Sequence, residues 1–185
     1  MNRLEPASSI LLVVDLQERL ASAMPPETLA AVLRAATVLV CAAETLGARI
    51  LATEQYPSGL GSTLPALRAE LERTKTPILE KMAFSAVEAD GFAAHVDADP
   101  PRTVIVVGME THVCVFQTVR ELVARGINVH VPIDGVASRR EDHRIAGLEL
   151  CRSAGATLTT METVVFDWLR KAGTPEFKKL SKLIR

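Results

Sequence analysis

The run Ile10-Leu11-Leu12-Val13-Val14 leaves little choice of fold. Its residues are all apolar, so a strand made of them has no polar face and must be covered on both sides. Short apolar or β-branched runs recur at 49–53, 77–80, 104–107, 129–133 and 157–160. Longer stretches at 26–46, 64–71, 111–124 and 140–154 carry apolar residues at helical spacing, as Leu29, Val32, Leu33, Ala36, Leu39 and Val40 do. Pro26 suits a first helical turn, and Gly47, Gly126 and Gly155 suit helix ends. The segment 55–62, with Pro57, Gly59 and Gly61, predicts a loop. Two further helical segments finish the chain. Strand then helix, repeated, predicts an α/β fold: three layers, with a parallel sheet of six strands covered by helices on both faces. Residues 1–185 form one domain, without repeat or linker.

Composition narrows the partners. Of the 185 residues 48% are apolar and only 4% aromatic, ample for a core of Ala, Val and Leu. A formal net charge of −1 offers nothing to a polyanion, so no nucleic-acid partner is expected. The basic cluster Lys178, Lys179, Lys182 and Arg185 suits a solvated helix end. Three cysteines are too few for a disulfide framework and fit a reducing compartment. No secretory pattern opens the chain, and the 10–14 run is far too short to span a bilayer. A cytoplasmic protein without a membrane partner is expected.

In doubly wound sheets ligands bind beyond the carboxyl ends of the strands, at the point where the strand order reverses. The residues following each run therefore matter most. Asp15 follows the first, Glu54-Gln55-Tyr56 the second, Lys81 the third, and Gly108-Met109-Glu110-Thr111-His112-Val113-Cys114 the fourth. If Asp15, Lys81 and Cys114 converge, a thiol would have a base and a cation beside it. Cys114 would sit in the first turn of its helix, where the dipole favours a thiolate. Taken singly, Asp15 also fits a turn cap, Lys81 a surface partner of Glu80, and Cys114 a small buried apolar residue like Cys41 and Cys151. No Gly-x-Gly-x-x-Gly follows the first strand, so the fold is Rossmann-like without a dinucleotide site. His95, His112, His130 and His143 show no ligand spacing.

Asp15-Leu16-Gln17, Lys81 and the Gly108–Val115 stretch together resemble the isochorismatase-like cysteine hydrolases, over almost the whole chain. The narrower resemblance is to short isochorismatase-domain-containing proteins. It rests on Thr53-Glu54-Gln55-Tyr56-Pro57-Ser58-Gly59-Leu60-Gly61, Glu80-Lys81-Met82-Ala83-Phe84-Ser85 and Pro175-Glu176-Phe177-Lys178. The resemblance implies strand order 3-2-1-4-5-6, an Asp15–Lys81–Cys114 triad, and a non-proline cis peptide at Met109–Glu110. It also implies an oxyanion site built from the Glu110 and Cys114 backbone N–H groups. Hydrolysis of a small amide or related C–N bond is then expected. Gln17, Leu20, Tyr56, Leu60, Phe84, Thr111 and His112 would line the substrate pocket. The nicotinamidase branch of that family carries an Asp-x-His metal motif where this chain has Glu54-Gln55-Tyr56. No metal and no cofactor are therefore expected, and a small molecule other than nicotinamide is the expected substrate. Relatives associate, so a homo-oligomer is expected. A non-catalytic binding or scaffold protein on the same fold is the alternative.

Overall fold

The computed structural model describes residues 3–97 and 99–184; Arg185 of the basic cluster lies outside them. In chain order the elements are β1 (Ser9–Val14), α1 (Glu18–Ala21), α2 (Pro26–Leu46), β2 (Arg49–Gln55), α3 (Pro57–Leu60), α4 (Pro65–Arg73) and β3 (Ile78–Lys81). Then follow α5 (Phe92–Val96), β4 (Thr103–Met109), a π-helical turn (Thr111–Val115), α6 (Phe116–Ala124), β5 (Asn128–Pro132) and β6 (Val136–Ala137). α7 (Glu141–Ser153), β7 (Thr157–Thr159), α8 (Met161–Leu169) and α9 (Pro175–Ile184) complete the chain.

All strand pairs are parallel, in the order β3-β2-β1-β4-β5-β7. The strand expected sixth is β7, so the order found is the one the family resemblance implies. β6 is an addition: two residues that pair with the end of β4, Gly108 beside Val136 and Met109 beside Ala137. β5 pairs only with the first half of β4. It stops at Pro132, which has no N–H to continue a ladder, and the chain rejoins β4 after the Asp134-Gly135 turn. The 55–62 segment, expected as loop, contains the single turn of α3.

The alternation along β1 explains its unbroken apolar run. Leu11 and Val13 face one core with α2, α8 and α9; Ile10, Leu12 and Val14 face the other with α5, α6 and α7. α2 begins at Pro26 and ends at Gly47, whose φ of 80° is the left-handed end that glycine tolerates. It is 21 residues long and an 18-residue window of it reaches a mean hydropathy of 1.8, long and apolar enough for a bilayer. Val32, Ala35, Ala36, Leu39, Val40 and Ala43 are instead buried against the sheet and its covering helices. After β1 the chain crosses to the α2 face, and after β4 to the α6 face. The crevice between β1 and β4 is therefore the reversal point of the sheet.

Candidate active site

Asp15 is the first residue past β1. Its N–H still donates to Thr53 O at 3.1 Å, and then its φ of 50° turns the chain away from the sheet. Its carboxylate accepts from Thr53 Oγ1 at 2.7 Å through Oδ1, and from Lys81 Nζ at 2.6 Å through Oδ2. The order β3-β2-β1 makes this possible: Thr53 stands on the strand between the acid and the amine. Lys81 Nζ also donates to Phe84 O at 2.9 Å and Ala83 O at 3.3 Å, which gives the ammonium an acceptor for each proton. Both side chains are wholly buried. Burial pushes the Asp15 carboxyl above its ordinary range, against the opposing pull of the Lys81 charge.

Cys114 sits in the π-helical turn and is only 5% exposed. Its thiol donates to Gln55 Oε1 at 3.3 Å and lies within hydrogen-bond reach of Asp15. The acid, the ammonium and the thiol are thus brought together. The electrostatics differ from the expectation of a dipole-stabilised thiolate. Burial, with the Asp15 charge behind it, pushes the thiol up to about 12; Lys81 and the Glu110 backbone N–H pull the other way and lose. The first turn after β4 is not α-helical, because residues 111–115 form the wider turn and α6 starts only at Phe116.

Two glycines allow this crowding. Gly108 has φ 138°, and a Cβ there would lie 2.0 Å from Val14 O, inside the β1–β4 contact. A Cβ on Gly147 would lie 2.7 Å from His112 N, so α7 packs directly on the backbone of the turn. The Met109–Glu110 peptide bond is cis.

A cavity of about 230 Å³ opens over the sulfur, lined by Leu20, Gln55, Tyr56, Leu60, Phe84, Glu110, Val113 and Cys114. It takes four of the seven expected lining residues: Leu20, Tyr56, Leu60 and Phe84. The other three are corrections. Gln17 is fully buried, its amide engaged by the backbone N–H and C=O of Gln55 and by Gly61 O. Thr111 is buried at the start of the turn, its hydroxyl without a partner among the described residues. His112 turns toward α7, where its ring lies 4.7 Å from that of His143 and Nδ1 meets Ser138 Oγ at 3.0 Å. Gln55 and Val113 were missed. Gln55 stands at the carboxyl end of β2, and that position was its only signal in the sequence. Glu54, beside it, accepts from Thr63 N–H, Thr63 Oγ1 and Arg68 Nη1 through one carboxylate oxygen. A larger cavity of about 480 Å³, between the start of α2 and the turn from β5 to β6, includes none of the expected site residues.

A parallel three-layer sheet with acid, ammonium and thiol buried at its reversal point defines a class: α/β proteins of hydrolase architecture. The chain belongs to the isochorismatase family, since the Isochorismatase domain model matches residues 9–163. It is 37% identical to the secreted isochorismatase effector Isc1 of Phytophthora sojae, covering 100% of this chain and 88% of that one. It is 35% identical to human isochorismatase domain-containing protein 2, over 100% and 87% of the two chains. Among solved structures it is similar to the MAR1 ribonuclease of Caenorhabditis elegans, with 38% identity, a TM-score of 0.90, and 99% and 92% of the two chains covered. The fold is that of the isochorismatase-like hydrolases.

Proposed function

We propose that this chain is a cysteine-dependent hydrolase of a small amide or related C–N substrate, working through a thioester. Asp15 takes the proton of Cys114 as Sγ attacks the substrate carbonyl. The C–N bond then breaks, and Asp15 returns the proton to the departing nitrogen. Water enters, gives a proton to Asp15 and attacks the thioester; the C–S bond breaks and the proton goes back to sulfur. The Glu110 and Cys114 backbone N–H groups would hold the oxyanion, where losing one donor typically costs about 3 kcal/mol.

The observation that carries this reading is the buried Asp15–Lys81 pair within reach of a thiol that floors a cavity. A thiol pushed up to about 12 stays protonated at rest. Nucleophile and general acid are therefore made together, by transfer to a carboxylate whose own proton affinity burial has raised. The cavity is smaller than the roughly 300–1,000 Å³ of drug-sized sites and largely apolar, and the Lys81 ammonium is already satisfied. This suits a small neutral molecule better than a polyanion. RNA cleavage belongs to the name of the Caenorhabditis elegans neighbour.

The test is a screen of amides, carbamoyl compounds and vinyl ethers against wild type and Cys114→Ala. Turnover should fall by at least about 10³-fold in a variant with an unchanged circular dichroism spectrum. Retained hydrolysis in a clean preparation would end the mechanism. The high thiol pKa is what favours the alternative, a binding protein on the same fold, and tight binding without turnover would decide for it. A homo-oligomer is part of the proposal; light scattering should give a multiple of the 20.0 kDa chain.

A further inference from the structure

We propose that Gln55 is a specificity-determining residue: its fixed carbonyl oxygen, next to the reacting sulfur, selects substrates that present an amide N–H there. The inference rests on the cysteine-hydrolase reading and narrows it from C–N bonds in general to those with a hydrogen on nitrogen.

The orientation of the Gln55 amide is dictated by its neighbours. Nε2 donates to Met82 O at 2.8 Å. A backbone carbonyl only accepts, so reversing the amide would set two oxygens against each other. Oε1 therefore faces Cys114 Sγ, at 3.3 Å. The backbone of Gln55 is held as firmly. Gln17 Oε1 accepts from its N–H at 2.8 Å, and Gln17 Nε2 donates to its C=O at 3.0 Å, as a neighbouring strand would. Of the side chains that share the wall, Leu20, Leu60, Phe84 and Val113 bring neither donor nor acceptor; Tyr56 brings a hydroxyl, and Glu110 a carboxylate whose Oε1 already accepts from Arg139.

The consequence is an acceptor locked next to the reacting sulfur. Once Sγ bonds to a substrate carbon, the thiol no longer donates to Oε1. A leaving –NH₂ or –NHR on that carbon can donate in its place. An ester oxygen there would face Oε1 lone pair to lone pair. The same exchange explains how a protonated resting thiol is released. The thiol has one proton and two acceptors, Gln55 Oε1 and Asp15. A substrate N–H that occupies Oε1 leaves the thiol proton to Asp15.

The test needs no knowledge of the natural substrate. Wild type and Gln55→Met are treated with chloroacetamide, N,N-dimethylchloroacetamide and methyl chloroacetate, with glutathione as the reference thiol. In each case sulfur displaces chloride, an S–C bond forms, and the thiol proton passes to Asp15 or solvent. Peptide mass mapping separates labelling of Cys114 from that of Cys41 and Cys151. At Cys114 of wild type, the preference for chloroacetamide over the ester and over the dimethylamide should exceed that of glutathione by roughly tenfold, the effect of one hydrogen bond. In Gln55→Met it should fall to the glutathione value. A wild-type preference equal to glutathione's, or one that survives Gln55→Met, overturns the role of Gln55 and leaves the hydrolase reading standing. A Cys114 that none of the reagents labels would overturn the hydrolase reading itself. Should Gln55→Met not fold, the three wild-type rates still decide.

Discussion

Cys114 and Cys151 are both buried thiols pushed up to about 12, and they differ in what surrounds them. For Cys151, on the buried face of α7, desolvation is the whole cause; for Cys114 the Asp15 charge adds to it. Both values stand above the ordinary 9.0, so between those limits the folded chain keeps protons that the unfolded chain gives up. Their contribution to stability is complete below pH 9 and is lost as pH rises toward 12. Each thiol adds at most about 1.4 kcal/mol per pH unit to that decline. Cys151→Ala should therefore flatten the fall in unfolding free energy above pH 9, measured by urea titration at several pH values. Equal slopes for variant and wild type would mean the thiol is not sequestered. At this scale the acid, the ammonium and the thiol were legible, because each ends or follows a strand that the apolar pattern marks. The partners of the thiol were not. An amide such as Gln55 can donate or accept in either orientation, and only the Met82 carbonyl decides which end meets the sulfur. Gln17 shows the same limit: it also follows β1, yet its side chain pairs with backbone and leaves the cavity wall to others.

Periodicity reads an element well when the element is long enough to repeat. β1, β4, α2 and α7 repeat their patterns clearly. β6 is two residues long and the π-helical turn five, so neither completes a period that could be told from loop. The sequence of 111–124 alternates as one helix would, and the widened first turn shows only in three dimensions. What holds that turn is α7, and Gly147 is the point of contact. Two effects oppose each other there. In an uncrowded helix interior, replacing glycine by alanine stabilises by up to about 1 kcal/mol. Here the new Cβ would fall 2.7 Å from both His112 N and Thr111 C, backbone atoms that cannot swing aside. Overpacking of this kind costs about 1–3 kcal/mol, so the clash should win. Gly147→Ala is predicted to lower the unfolding free energy and to change the rate at which chloroacetamide labels Cys114. A neutral or stabilised variant, with Cys114 labelled as in wild type, would show that α7 does not brace the turn.

The sheet divides the molecule into two cores, and β1, β2, β4 and β6 each give buried residues to both. One lies under α2, α4, α8 and α9, the other under α5, α6 and α7. Asp15 and Lys81 reach the site from strand ends, whereas Cys114 hangs from the second core through its turn. α9 belongs wholly to the first: Leu180 is fully buried, with Phe177 and Ile184 packed beside it against α2 and α8. The apolar face of this last helix is thus engaged within its own chain, covering the long apolar α2. Leu180→Ala removes a buried side chain far along the chain from any site residue. Such truncations cost about 2–5 kcal/mol, depending on how far the surroundings close in. If the sheet couples both cores into one cooperative unit, the whole chain pays that penalty in a single transition. Urea unfolding followed by far-ultraviolet circular dichroism and by exposure of Cys151, which lies in the other core, should then shift by the same amount. Below the transition, labelling of Cys114 should keep its wild-type rate, because the contacts of its turn are untouched. Two separate transitions, with Cys151 exposed at the wild-type urea concentration, would instead show that the α2 layer can be lost while the layer that carries the thiol stays folded.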